Sequence, residues 1–250
     1  YYLNGIFLHA ATAEGAAVLR GVATDGHRLA RVQLALPEGA AKMPGVIVPR
    51  KTVGEIRKLL DEHDGAVEIS LSETKIRFAV GPITLTSKLI DGTFPEYERV
   101  IPQNNDKIME VRCKEFAQAV DRVSTISTEK SRAIKLAMSK GALTLSATSP
   151  EAGSATEEIE VSYSAAPIEI GFNSRYLLDI TEQMSGADAQ FAMADAGSPT
   201  IVRDAAAAWA FYVLRRRGVG AAGRPATRCS GRPRRTRRWR AQRWPCASCA

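Results

Sequence analysis

Asp25 and His27 stand two residues apart in the stretch Val22-Ala23-Thr24-Asp25-Gly26-His27-Arg28-Leu29. A carboxylate beside an imidazole is raw material for a general base. It serves hydrolysis only when a nucleophile meets it, and the sequence sets none against this pair. The same octet offers binding instead. Asp-Gly is a tight-turn dipeptide, because Asp bonds back to its own backbone and Gly tolerates positive φ. An apolar strand, Leu19 to Ala23, stops at that turn, which then presents His27 and Arg28 beside the apolar Leu29. A polar pair next to an apolar residue suits a shallow binding site; it also suits an ordinary hairpin with exposed charges. Elsewhere the chemistry is sparse. Cys246 and Cys249 have CxxC spacing, but only Cys229 joins them and no His lies nearby, whereas a zinc site wants four ligands. There is no phosphate-binding glycine loop. Neither a metal nor a cofactor is expected.

The elements that must position this octet alternate regularly. Residues 3–9, 17–23 and 27–35 read as three strands, the first two joined at Glu14-Gly15. Val46-Ile47-Val48 leads into Pro49 and a helix over 51–63, whose Val53, Ile56, Leu59 and Leu60 form one apolar stripe. Strands follow at 67–71, 75–80 and 82–89. Residues 91–105, with two prolines, a glycine and paired Asn, form a turn-rich connector and the best domain boundary.

The pattern then restarts. A strand at 108–112 precedes a helix from Lys114 to Ile126, with Phe116, Val120, Val123 and Ile126 on one side. A hairpin turns at Lys140-Gly141, and a single strand is predicted over Glu158 to Tyr163. Ile168-Glu169-Ile170 leads into a helix at 174–184, with Tyr176, Leu177, Ile180 and Met184 inward. Short strands at 190–194, 200–203 and 208–214 close the order. The strand ending Ala23-Thr24 matches the one ending Ala147-Thr148, and Val46-Ile47-Val48 before a helix matches Ile168-Glu169-Ile170 before a helix. Two copies of one α+β module are expected, the first lacking its opening strand and helix.

Charge divides the chain further. Its formal net charge is +7, from 34 Lys and Arg against 27 Asp and Glu. Residues 215–250 hold 12 Arg and no acid, so residues 1–214 carry 22 basic against 27 acidic side chains. The body is mildly acidic and the basic balance comes from the tail. That tail, rich in Arg, Ala, Gly, Pro, Trp and Cys, has no periodicity. It reads either as a basic arm, with Arg on phosphates and Trp239 and Trp244 stacking on bases, or as a reading-frame shift in a GC-rich gene. The frameshift is favoured because the break falls inside an expected last strand, and such a tail would be disordered. One cysteine in the body, Cys113, fits a reducing cytoplasm. No apolar run approaches the roughly 20 residues of a membrane span, so no membrane partner is expected. No signal peptide opens the chain. Tyr1-Tyr2-Leu3 reads as the inside of an element, so a truncated N-terminus is expected.

Six stretches taken together resemble the bacterial β sliding clamp, the processivity subunit of DNA polymerase III. They are Tyr1-Tyr-Leu-Asn-Gly5, the octet Val22–Leu29, Val48-Pro-Arg-Lys51, Thr86-Ser-Lys-Leu-Ile-Asp-Gly92, Phe94-Pro-Glu-Tyr97, and Ile170-Gly-Phe-Asn173 with Tyr176. The resemblance implies a DNA-clamp fold, with antiparallel sheets outside and helices lining the inner face. The family is a head-to-tail homodimeric ring of three-domain chains around duplex DNA. Residues 1–101 would be the second clamp domain, 106–214 the third, and 215–250 the tail. The chain would be a cytoplasmic, nucleoid-associated accessory subunit and not an enzyme. Its partners would be double-stranded DNA, DNA polymerase III subunits, the clamp loader and repair proteins with clamp-binding motifs.

Site residues follow from the same resemblance. A peptide-binding groove between the two domains would take Leu3, Thr24, Gly26, His27, Arg28 and Leu29 from the start of the chain. It would take Pro95, Arg99 and Val100 from the connector, and Asn173, Tyr176 and Val213 from the second module. DNA contact would fall on Tyr1, Tyr2, Arg50 and Lys51, and the ring interface on Thr125 and Ile126. Two departures weaken the groove. Arg215-Arg216-Arg217 stands where the family usually has a Met-Pro-Met-like segment, and Gly197 and Pro199 occupy groove-edge positions.

Overall fold

Two residues with positive φ, Glu14 at 50° and Gly15 at 82°, make a two-residue hairpin connection that sets the register of the strands on either side. The computed structural model describes residues 2–127, 132–205 and 209–215. Around that turn, β1 (Gly5–Ala13) pairs antiparallel with β2 (Ala16–Thr24), which pairs with β3 (Arg28–Ala35). β4 (Val46–Pro49) closes the other edge of β1 and runs directly into α1 (Arg50–Asp61). β5 (Val67–Leu71), β6 (Lys75–Val80) and β7 (Ile83–Lys88) form a separate antiparallel sheet. Val46, Val48, Ile56, Ile76, Phe78 and Val80 are buried between the two sheets and α1.

The second half repeats this order behind an extra strand and helix. β8 (Lys107–Arg112) and α2 (Cys113–Ser124) come first. Then follow β9 (Ala133–Ser139), β10 (Ala142–Ser149), β11 (Gly153–Glu160), β12 (Ser162–Tyr163), β13 (Ile168–Asn173), α3 (Ser174–Thr181), β14 (Asp188–Met193), β15 (Thr200–Asp204) and β16 (Ala210–Leu214). The sheet order β13-β9-β10-β11 reproduces β4-β1-β2-β3, and β14-β15-β16 reproduces β5-β6-β7 with β8 added beside β14. One core draws on both sheets and both helices, with Phe116, Phe172 and Phe191 among its largest fully buried side chains.

The modules join edge to edge. β16 pairs with β3, Leu214 opposite Arg28 and Ala210 opposite Val32, and this merges nine strands into one sheet. The described residues accordingly fall in one compact unit. The connector does more than link: Phe94 and Tyr97 are buried in an apolar cluster with Val22, Leu29, Ile47 and Val213, and Tyr97–Val100 winds as a 3₁₀ turn.

Several sequence expectations need correction. The strand expected over Glu158 to Tyr163 is two strands in different sheets, since β11 pairs with β10 while β12 crosses to β8. The Val161 N–H, bonded to the Gly141 carbonyl, marks the transfer; unbroken alternation hid it. The first strand starts at Gly5, which leaves Leu3 free of the ladder. Leu60, expected on the apolar stripe, is 40% exposed, while its neighbour Leu59 packs on the core around Ile56. α3 stops at Thr181, short of Met184. Among the described residues no helix is long and apolar enough to cross a membrane. The expectations for Tyr1 and for the tail beyond Arg215 lie outside the described residues.

Candidate peptide groove at the module junction

The octet builds its turn from the Thr24, Asp25 and Arg28 side chains. Gly26 sits at φ 84°, where a side chain is strained. Asp25 Oδ1 accepts the backbone N–H groups of His27 and Arg28, each at 2.9 Å, and Thr24 Oγ1 donates to the Arg28 carbonyl at 2.8 Å. Asp25 Oδ2 accepts from Arg28 Nε at 3.1 Å. The carboxylate is thus committed to the turn, and no bond joins it to the His27 ring, which removes the general-base reading. Partial burial pushes the Asp25 carboxyl upward, but the two backbone donors and the Arg28 guanidinium outweigh it and hold it below its ordinary range.

Arg28 then crosses to the second module. Its Nη1 donates to Asp179 Oδ2 on α3 at 2.6 Å, and its guanidinium lies over the Tyr176 ring, 4.5 Å from the centroid. Burial works against the charge, but the Asp179 and Asp25 carboxylates outweigh it and raise the Arg28 pKa. One side chain therefore ties the first-module hairpin to a second-module helix.

A cavity of about 560 Å³ opens at this junction, on the sheet face covered by the connector. It is lined by Leu3, Thr24, Gly26, His27, Arg28 and Leu29, by Pro95, Arg99 and Val100, and by Val213. The structure thus brings together ten of the twelve residues proposed for a groove. The other two stand apart. Asn173 caps α3, its Oδ1 accepting the Arg175 N–H at 3.0 Å, and Tyr176 stands beneath the Arg28 guanidinium; neither lines the cavity. The hollow holds His27, with Arg28 between it and Tyr176.

Sequence reasoning passed over four connector residues that also line the cavity, Glu96, Tyr97, Ile101 and Pro102. An aromatic within a polar, proline-rich connector was the available signal for Tyr97. Pro199, expected at a groove edge, does line it, and so do Tyr2 and Arg215. The Arg215 N–H donates to the His27 carbonyl at 3.1 Å and its Nη1 to the Gly26 carbonyl at 3.3 Å, so a cation is held against the octet turn at the groove. Arg99 is exposed and pairs with Glu96.

The remaining candidates are dispersed. Arg50 and Lys51 occupy the first turn of α1, which holds no acidic residue. Arg50 lines a second hollow of about 490 Å³ on the helix side of the sheet, with Asp179, Gln183 and Tyr212. Tyr2 faces the groove instead of joining them. Thr125 caps α2 and donates to the Asp121 carbonyl at 3.1 Å, while Ile126 packs against the second-module core. Among the described residues no group of three or more His, Cys, Asp or Glu side chains could hold a metal ion.

A repeated α+β module, joined sheet to sheet and hollowed at the seam, defines the class of protein. Comparison with known proteins supplies the family. Residues 1–96 match the model of the DNA polymerase III beta subunit central domain, and residues 98–215 match its C-terminal domain. The beta sliding clamp of Caulobacter vibrioides is 52% identical over 214 residues, 86% of this chain and 58% of that protein. The Escherichia coli K12 clamp is 39% identical over 214 residues, 86% of this chain and 57% of its own length. Among solved structures, a sliding clamp from Bartonella birtlesii bound to griselimycin superposes with a TM-score of 0.84 at 52% identity, covering 88% of this chain and 59% of that one. The chain belongs to the bacterial β sliding clamp family, and it spans a little under three-fifths of the length of the relatives it matches.

Proposed function

We propose that this chain carries the partner-binding portion of a processivity clamp, a non-catalytic subunit that holds the replicative polymerase to duplex DNA. The observation that carries this is the cavity at the seam. Leu3, Leu29, Pro95 and Val213 give it an apolar floor, while His27, Arg28 and Arg99 rim it with donors. Such a hollow accepts a short extended peptide whose hydrophobic side chains fill the floor and whose carbonyls meet the rim. DNA polymerase III subunits, the clamp loader and repair proteins with clamp-binding motifs are the proposed owners of that peptide. Griselimycin, bound by the Bartonella birtlesii relative, is a proposed ligand here too.

Residues 1–101 and 106–214 serve as the second and third clamp domains in this proposal, and Thr125 and Ile126 as one side of a ring interface in a homodimer. Arg50 and Lys51 meet DNA. Cations in the first turn of a helix are unfavourable for the helix itself, since its N-terminus is already partly positive; both features favour a phosphate. Contact of this kind positions without reading sequence, as a sliding protein needs.

The test is fluorescence polarisation with a labelled clamp-binding peptide carrying leucine and phenylalanine anchors. Unaltered chain should bind and griselimycin should compete. Arg99→Ala should weaken binding by about 1 kcal/mol, roughly fivefold, as a rim contact. Equal affinity for both chains would remove Arg99 from the site, and no binding to unaltered chain would overturn the proposal.

A further inference from the structure

Arg20 is the most deeply buried arginine among the described residues at 7% exposed, and it lies outside the cavity. A buried guanidinium is costly unless its donors are met, and here they are. Nε donates to Gln33 Oε1 at 3.2 Å, Nη1 to Glu98 Oε1 at 2.9 Å and to the Tyr97 hydroxyl at 3.4 Å, and Nη2 reaches the Thr12 carbonyl at 3.5 Å. On its other side the Tyr97 hydroxyl lies 3.0 Å from His9 Nε2. His9, Arg20 and Gln33 stand abreast on β1, β2 and β3. Two neighbouring strands thus grip Tyr97 and Glu98 from the sheet side, and Gln33 on the third braces Arg20.

The short segment Tyr97–Val100 is the wall of the groove. Tyr97, Arg99 and Val100 line the cavity, and Tyr97 and Glu98 are the residues the sheet holds. Phe94 adds an apolar anchor by stacking on Phe7, with centroids 4.9 Å apart, and Phe7 stacks in turn on His9. Besides the apolar cluster around Tyr97 and the exposed Arg99–Glu96 pair, the wall's 3₁₀ turn has no side-chain cap, and its two turn bonds, Arg99 N–H to Glu96 and Ile101 N–H to Glu98, are both 3.3 Å long. We infer that Arg20, with Tyr97 and His9, is a positioning unit that fixes the connector wall against the sheet and so sets the width of the peptide groove. The inference rests on the groove reading and adds to it residues that touch no peptide.

Two measurements test it on the full chain. Hydrogen exchange needs no peptide. In Arg20→Met the amides of residues 97–101 should exchange at least about tenfold faster, while those of β8 and β14 stay unchanged. Tyr97→Phe, which deletes only the hydroxyl, should give a smaller change in the same amides, and Arg20→Lys should recover part of the protection through Glu98. Peptide affinity should fall roughly 3- to 30-fold in Arg20→Met. The loss should shrink when Val100→Ala has already removed a wall contact, yet persist in full in His27→Ala, whose contact comes from the octet turn and not from the connector. A merely structural role would give the same loss in both backgrounds. Unchanged exchange in residues 97–101, or unchanged affinity where unaltered chain binds, overturns the inference. If unaltered chain binds no peptide, the groove reading falls and the exchange data alone decide whether Arg20 positions the wall.

Discussion

The two modules share a strand order but not a degree of enclosure. In the second, β14 lies between β8 and β15, α2 packs on α3, and the inward residues Ala189, Phe191 and Met193 are all fully buried. In the first, β5 has only β6 beside it, and α1 has no helix packed on it as closely as α2 is packed on α3. Its inward residues Val67, Ile69 and Leu71 repeat the same alternation, yet Ile69 is 44% exposed where its counterpart Phe191 is 1% exposed. Local pattern is therefore equal in the two copies, and burial is not. What differs is the neighbouring element, which the sequence of β5 does not encode.

The largest expected effect follows directly. Phe191→Ala should cost about 3–5 kcal/mol, because it deletes a ring packed 5.1 Å from Phe116 in a core that cannot relax fully. Ile69→Ala should cost about 1 kcal/mol or less, since much of the side chain already meets water. Urea unfolding of both variants checks the pair. Similar losses would mean that the first module is covered as completely as the second.

A smaller difference separates the helices. α1 opens with Arg50 and Lys51 and no acid, whereas Lys114 near the start of α2 is offset by Glu115. If only the first of these meets DNA, the double change Arg50→Ala with Lys51→Ala should lower the salt slope of duplex binding by about 2. Lys114→Ala should lower it by less than about 1. Equal slopes for all three proteins would detach α1 from DNA.

Much of this was readable in the chain because it is local. The Asp25-Gly26 and Glu14-Gly15 turns, the apolar face of α2 and the restart after residue 105 follow from residue chemistry within a few positions. The passage of chain from β11 to β12 did not, because a change of sheet leaves alternation intact. Nor did the wall of the groove: Tyr97 finds its partners 77 and 88 residues away in Arg20 and His9. Arg20 itself was a visible anomaly, a charge inside the apolar run Leu19 to Ala23, whose meaning only the tertiary structure supplies. Tyr176 is placed by the same kind of distant contact, since it lies across the seam beneath Arg28, a residue that lines the groove.

The seam between the modules carries the smallest effect and the most specific one. Asp25 holds Arg28 in the orientation from which it reaches Asp179, so its charge serves both halves. Because its folded pKa lies below the ordinary 3.8, the contribution is complete above that value and is lost as pH falls through the folded pKa. Asp25→Asn keeps an acceptor for the two backbone N–H groups and removes only the charge. With both partners a third or more exposed, solvent screening limits the loss to less than about 1 kcal/mol, a shift of a few degrees in Tm at most. The gap in Tm between unaltered chain and Asp25→Asn should be constant from pH 5 to 8, a window set by the ordinary carboxylate range, and should close below pH 3.8. A gap that does not narrow at all as the pH falls below 3.8 would show that the turn uses the shape of Asp25 and not its charge. Arg28 would then hold the second module through Asp179 and Tyr176 without help from the Asp25 charge.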